Sequence, residues 1–306
     1  MDAEHPATNG RGTRNDLVRR IEEIGQWQRG GERAPHKPLL LLYAIARAAR
    51  REPRMVSYAT AEPILRRLLE QFGAPGRRPA PEYPFWYLQN DGLWELEGVG
   101  DALPRRGGTK EPRVSALRAG ISGGMPRWAF SVLASDRRLR GRIIRSLLTR
   151  NFPRSLHGDV CAELGIPVLS VSDRRRDAQF RRDVLRAYRS RCAVCGFDVR
   201  LCHQPFGIDA AHLMWWQAGG PCETPNGLAL CALHHRAFDR GAIGVSANRK
   251  ILISLDLSGD EAWLERMFYD FSGRELRPPQ RRAEEPDERF AAWHRQQVFR
   301  GPARDP

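Results

Sequence analysis

Long apolar runs are scarce in this chain, and acids are short relative to bases. The longest apolar stretch is Leu39–Ala46, far below the roughly twenty residues that a spanning helix needs. The first residues, MDAEHPATNG, are polar where a signal peptide would be basic and then apolar, so a cytoplasmic location is expected. No internal repeat and no long low-complexity tract interrupts the sequence, which argues against a repeat array. Asp and Glu number 36 against 50 Lys and Arg, giving a net charge of +14 and a pI near 10.4. Clustered bases gain affinity by releasing counterions from a phosphate backbone, so a nucleic acid is the economical partner. The 306 residues, 41% hydrophobic and 28% charged, suit a soluble protein of two domains.

Cysteine is also sparse, at six residues, and half of it is concentrated in one pattern: Cys192-x2-Cys195 followed by Cys231-x2-His234. Thiolates and imidazole match the softness of zinc, and two-residue spacers let each pair close on one ion. Four protein ligands leave no open position, so this zinc is expected to be structural. Cys161, Cys202 and Cys222 are left over; Cys202 with His203 is a weaker competing pair because it lacks the spacer. Cysteines used this way fit a reducing compartment better than a disulfide framework.

Between these knuckles lie Asp209, His212 and Asn226, and His235 follows the last ligand. The segments IDAAHL at 208–213, PNGLALC at 225–231 and LHHRAFD at 233–239 resemble the HNH nuclease motif, the ββα-metal site. That resemblance implies a hairpin presenting His212 and a helix presenting His235. His212 would be the general base, neutral near pH 7 with an ordinary pKa of about 6.5. A divalent ion distinct from the zinc, Mg2+ or Mn2+, would bind the scissile phosphate, with His235 as candidate ligand. Asn226 would bind that ion or tie the hairpin loop. Asp209, three residues before His212, reaches the ion only if the strand ends or twists there. Where some nucleases have an acid just before the catalytic His, this chain has Ala211.

Periodicity predicts helices over 16–28, over 38–51 with Pro38 in the first turn, over 61–72 with Pro63 near the start, and over 135–150. The segment YPFWYLQNDGLWEL at 83–96 surrounds Asn90-Asp91-Gly92 with β-prone residues and predicts a hairpin. Residues 104–113 read as a basic loop and 151–172 as a Pro-containing connection. Between Arg174 and Arg191 eight Arg oppose two Asp while Phe180, Val184, Leu185 and Tyr188 recur at helical spacing, predicting a basic helix with one buried stripe. The tail 273–306 reads as polar and partly disordered after a short helix near Phe290–Trp293.

GERAPHKPLLLLYAIAR at 31–47 and PEYPFWYLQNDGLWEL at 81–96 resemble the sulfur-binding domain that precedes HNH in restriction endonucleases recognising phosphorothioate DNA. With both halves in that order, the chain resembles McrA-like type IV restriction enzymes. Sulfur in place of a phosphate oxygen keeps the charge but enlarges and dehydrates one corner, so a reader needs cations for the oxygen and an apolar wall for the sulfur. Arg33, His36 and Lys37 precede or open a helix, whose positive end attracts anions. Tyr83 and Pro84 are the candidate wall, with Trp86 left open and core packing as the plainer use of these aromatics. Lys110 or Arg113 would complete the cationic rim.

The fold expected is α+β: a mainly helical DNA-reading domain with a hairpin over 1–165, and a ββα-metal nuclease domain with structural zinc over 166–306. The partner expected is double-stranded DNA carrying phosphorothioates. One nuclease site per chain favours a homodimer or two successive nicks. Two alternatives stand beside this: an HNH enzyme whose reader holds a flipped methylated base, and a zinc-stapled DNA-binding protein that does not cut.

Overall fold

The computed structural model describes residues 13–24, 35–76, 78–100, 112–167 and 177–305. The chain divides into two compact units, one of Met1–Gln26, His36–Arg67 and Ala80–Leu147, the other of Trp27–Pro35, Leu68–Pro79 and Leu148–Pro306. Among the described residues no helix is long and apolar enough to cross a membrane.

In the first unit, α1 (Arg14–Glu22) begins at a reciprocal cap. The Thr13 side chain accepts from the Asp16 N–H at 3.1 Å, and the Asp16 carboxylate accepts from the Thr13 N–H at 2.9 Å. Helix α2 (His36–Ala49) is buried at every position from Pro38 to Ala46, as a helix apolar on all sides must be. Pro38 sits in its first turn, where a missing N–H breaks no bond. After β1 (Val56–Ser57), α3 (Tyr58–Phe72) starts three residues before the expected 61 and carries Pro63 inside it. Its buried Glu62 accepts from Arg66 at 2.7 Å and from two nitrogens of Arg118 at 2.6 Å.

The hairpin expected over 83–96 does not form. Helix α4 (Glu82–Tyr87) runs into a 3-10 turn at Leu88–Asp91, and Gly92 closes it with φ +65°; only then comes β2 (Glu95–Glu97). Packing overrides β-propensity here: Phe85 meets Tyr58 and Trp94 edge to face at 5.0 and 5.4 Å. Asn90-Asp91-Gly92 ends a helical turn and does not reverse a strand pair. Strand β2 pairs instead with β3 (Ser122–Gly124), which follows α5 (Val114–Gly120) and is the centre of an antiparallel sheet ordered β1-β3-β2. Gly123 lies between Val56 and Leu96 in register. A Cβ there would fall 2.4 Å from Trp94 Nε1 and 2.8 Å from Phe85 Cζ, so a glycine lets these rings lie on the sheet. Helices α6 (Arg127–Ser135) and α7 (Arg137–Asn151) follow, the latter where 135–150 is predicted helical.

In the second unit, the expected connection at 151–172 contains α8 (Arg154–Glu163), with Pro153 at its N-cap and Leu156, Val160 and Cys161 buried. Helix α9 (Asp177–Ala187) buries the predicted stripe of Phe180, Val184 and Leu185, with Tyr188 just beyond its end. Three separate two-stranded antiparallel sheets come next. They are β4 (Arg200–Leu201) with β5 (Gln204–Pro205), β6 (Ile208–His212) with β7 (Gly227–Cys231), and β8 (Ile243–Val245) with β9 (Ile251–Ile253). Helix α10 (Ala232–Asp239) follows β7 directly, and α11 (Glu261–Met267) and α12 (Glu288–Gln297) complete the unit.

The tail is packed, contrary to the expected partial disorder. Leu276, Phe290, Ala291, Trp293, Val298 and Phe299 are buried, and Arg300 donates to the Glu70 and Gln71 carbonyls at 2.8 Å. Its polar composition hides apolar residues spaced widely enough to escape a composition-based reading.

Candidate metal centre and nuclease site

Cys192 and Cys195 flank a tight turn after α9, Cys231 ends β7, and His234 stands in the first turn of α10. The four ligand atoms lie within 4.8 Å of one another. His234 Nδ1 is 3.2 Å from Cys231 Sγ and 3.6 Å from Cys192 Sγ, and the sulfurs of Cys195 and Cys231 are 4.0 Å apart. Bonds of 2.0–2.3 Å to a tetrahedral zinc put such edges at about 3.5–3.8 Å, so the donor set fits that ion. The tautomer fits as well: His234 Nε2 donates to the Met267 carbonyl at 2.8 Å, which leaves Nδ1 as the ligating atom. Hydrogen bonds from Cys195 and Cys231 hold the Cys192 thiol far below the usual thiol range. Cys202 and His203, the competing pair, form the β4–β5 turn with φ of +48° and +64° and stand outside this cluster.

The β6–β7 register sets Ile208 opposite Cys231 and His212 opposite Gly227. The hairpin thus starts at the ligand cluster and ends at His212. Gly227 is required by close approach: a Cβ there would lie 2.4 Å from Val184 and 2.9 Å from Phe180. Through that gap the Phe180 ring stacks on His212 at 3.8 Å between centroids. Burial beneath it pushes the His212 pKa down to about 4, against the Asp239 charge and helped by that of His235. His212 is therefore neutral at pH 7. Cys222 Sγ lies 3.7 Å from its Nε2.

Asn226 is fully buried and spends its side chain on the loop between the strands. Its Oδ1 accepts from the Met214 N–H at 2.8 Å, and its Nδ2 donates to the carbonyls of Met214 and Pro221 at 2.9 and 2.8 Å. His235, on α10, has Nε2 3.2 Å from Asp239 Oδ2. Burial works to lower its pKa, but the charge and hydrogen bond of Asp239, with the charge of Asp209, raise it overall. Asp209 is exposed on β6 and accepts from Arg181 Nε at 2.7 Å.

The geometry adds three residues that the sequence pattern did not single out as site residues: Phe180 over His212, Arg181 on Asp209, and Asp239 beside His235. Asp239 had a readable signal, since a carboxylate four residues after a helical His shares its face.

Of the reader's candidate residues, Arg33 and Lys110 lie outside the described residues. His36 and Lys37 open α2, and Lys37 Nζ donates to Asp91 Oδ2 at 2.6 Å, joining the helix start to the turn that follows α4. Tyr83 is exposed and stacks with Tyr87 at 6.2 Å, whereas Pro84 is buried on the other side of α4. Arg113 is exposed at the N-cap of α5.

A strand pair and helix closed by four such ligands define a ββα-metal nuclease module, and residues 192–246 match the HNH endonuclease family. Residues 14–168 match the ScoMcrA-like DNA sulfur-binding domain, and the chain belongs to that family. It thus joins a DNA sulfur-binding domain to an HNH endonuclease domain, in the order the sequence resemblance implies. Among solved structures, it is similar to the sulfur-binding domain of ScoMcrA complexed with phosphorothioated DNA, with 27% identity over 49% of this chain and 94% of that one and a TM-score of 0.44. The corresponding complex of SprMcrA gives 30% identity over 51% and 95%, with a TM-score of 0.43. The type IV phosphorothioation-dependent restriction endonuclease ScoMcrA gives 28% identity over 58% of this chain and 33% of that one, with a TM-score of 0.41. No curated protein matches the chain.

Proposed function

We propose that the protein is a modification-dependent restriction endonuclease that binds phosphorothioate-modified double-stranded DNA and hydrolyses phosphodiester bonds nearby. Residues 1–165 form the reader and 166–306 the nuclease, with α8, at the end of the reader's family match, packed in the second unit. The observation that carries the cutting reading is geometric: a hairpin that ends at His212 under the Phe180 ring leads directly into the helix that carries His235, beside a four-ligand cluster.

Cys192, Cys195, Cys231 and His234 hold a structural Zn2+. His212 takes a proton from water on its unprotonated ring nitrogen as the water oxygen bonds to phosphorus and the bond to the leaving sugar oxygen breaks. Asn226 fixes the loop that follows His212. His235, with Asp209 whose charge acts on it, would hold Mg2+ or Mn2+, which supplies charge neutralisation at the phosphate and leaving oxygen. In the reader, His36 and Lys37 are the candidate cations for the anion, joined by Arg33 and Lys110 outside the described residues, and Tyr83 is the candidate apolar wall for sulfur, with the buried Pro84 next to it in α4. Two strands are cut by two copies of the chain or by successive nicks, in the cytoplasm.

Paired oligonucleotide duplexes that differ only in one sulfur test this with Mn2+ present. Tighter binding and cutting of the sulfur duplex are expected. Equal binding of both duplexes with cutting would point to an HNH enzyme directed elsewhere, and binding without any nicking to a protein that does not cut.

A further inference from the structure

Among the described residues of the second unit, the mechanism above leaves one buried carboxylate unused. Asp239 ends α10 one turn after His235 and is 3% exposed. Its Oδ2 lies 3.2 Å from His235 Nε2, and the Ser155 hydroxyl on α8 donates to the same oxygen. One turn along α8 from Ser155, Asp159 accepts from Arg240 at 2.8 Å and from Arg236. Helix α8 therefore grips α10 at residues 236, 239 and 240, around the turn that carries His235.

A buried carboxylate is costly unless its neighbours compensate it, and a neutral side chain would end this helix more cheaply. What the charge offers is orientation. A carboxylate accepting from one imidazole nitrogen fixes the proton there and leaves the other lone pair facing a cation. We propose that Asp239, itself held by Ser155, is a positioning residue that keeps the His235 proton on Nε2 and turns Nδ1 toward the divalent ion. This rests on the assignment of His235 as that ion's ligand.

The test uses the full chain loaded with zinc, with Mn2+ as the probe. Binding is read from loss of the free-Mn2+ paramagnetic resonance signal, and the relevant site is the one lost in His235→Ala. Asp239→Asn keeps the shape and removes the charge; it is expected to weaken Mn2+ binding by about 10–100-fold, with zinc content unchanged. Ser155→Ala should weaken it several-fold in the same direction. Raising Mn2+ should restore much of the plasmid nicking by Asp239→Asn, a rescue that a merely structural role would not give. Wild-type Mn2+ affinity in Asp239→Asn overturns the proposal. If that variant does not fold, Ser155→Ala decides, and unchanged affinity in it overturns the proposal equally. Wild-type protein that binds no Mn2+ removes the ion-ligand assignment of His235 as well, so the two failures are distinguishable.

Discussion

The first unit is built around one buried apolar helix, the second around a core that also gathers four candidate ligand atoms. Helix α2 buries ten residues, while the second unit builds its centre from three two-stranded sheets, a form that is marginally stable alone. What the small sheets lack in mutual pairing, an ion held by Cys192, Cys195, Cys231 and His234 would supply by tying the turn after α9 to β7 and α10. Both units thus bury apolar cores, but the second adds a four-ligand site that could hold a metal ion. Conditions that act on coordination should separate them.

The largest expected effect follows from that contrast. Structural zinc contributes roughly 10–16 kcal/mol in small metal-folded modules. Stripping it with a strong chelator, or replacing Cys192 by Ser, should unfold residues 192–253 while 38–48 stay protected in hydrogen exchange. Equal loss of protection in both stretches would break the comparison.

Next is chemistry confined to the second unit. His212→Ala should lower cleavage by about 10²–10⁴-fold while leaving melting at neutral pH and DNA affinity in place; retained cutting would reject its role as base. Its pH signature has a definite sign. Because burial lowers the folded pKa to about 4, the ring stays unprotonated through neutral pH, and base function falls only as pH drops toward that value. The unfolded ring takes a proton near its ordinary pKa, about 6.5. Stability is therefore lost as pH falls from the unfolded value toward the folded one, and His212→Ala should flatten that part of the melting-temperature profile. A wild-type profile identical to the variant's would show that the ring is not so buried.

The two units also differ in how much of them was legible in the sequence. The ββα order, the ligand cluster and the α9 stripe were readable because each depends on spacing within a short segment. The Phe180–His212 stack was not, since it joins a helix to a strand across intervening chain and needs the absence of a side chain at Gly227. In the first unit, α4 read as a strand because Tyr-Pro-Phe-Trp-Tyr is β-prone, yet contacts of Phe85 with Tyr58 and Trp94 decide its form. Pro153 hid α8 by reading as an interruption when it is an N-cap. The reader's candidate residues are correspondingly less gathered than the nuclease's, with Lys37 already paired to Asp91.

A core substitution sharpens the contrast from the other side. Leu41 is fully buried in α2, and Leu→Ala at such a site costs about 2–5 kcal/mol. Leu41→Ala should lower the first unit's stability while the protein retains its full zinc content. Loss of zinc in that variant would mean that coordination depends on the apolar unit after all.

The smallest effect tests whether local capping matters where burial dominates. The Thr13 side chain accepts from the Asp16 N–H at 3.1 Å, and the Thr13 N–H donates to the Asp16 carboxylate in return. Thr13→Ala removes the bond to the Thr13 hydroxyl and the one that hydroxyl donates to Asp16 Oδ2 at 2.7 Å, and costs about 1 kcal/mol, a melting shift of roughly 2–8 °C for units of this size. Helix α1 buries Leu17 and Ile21 in the first unit, so the shift should appear in that unit's transition and leave the metal-dependent one unmoved. A null result would place the whole stability of α1 in those two side chains, making the first unit still more purely a product of apolar burial.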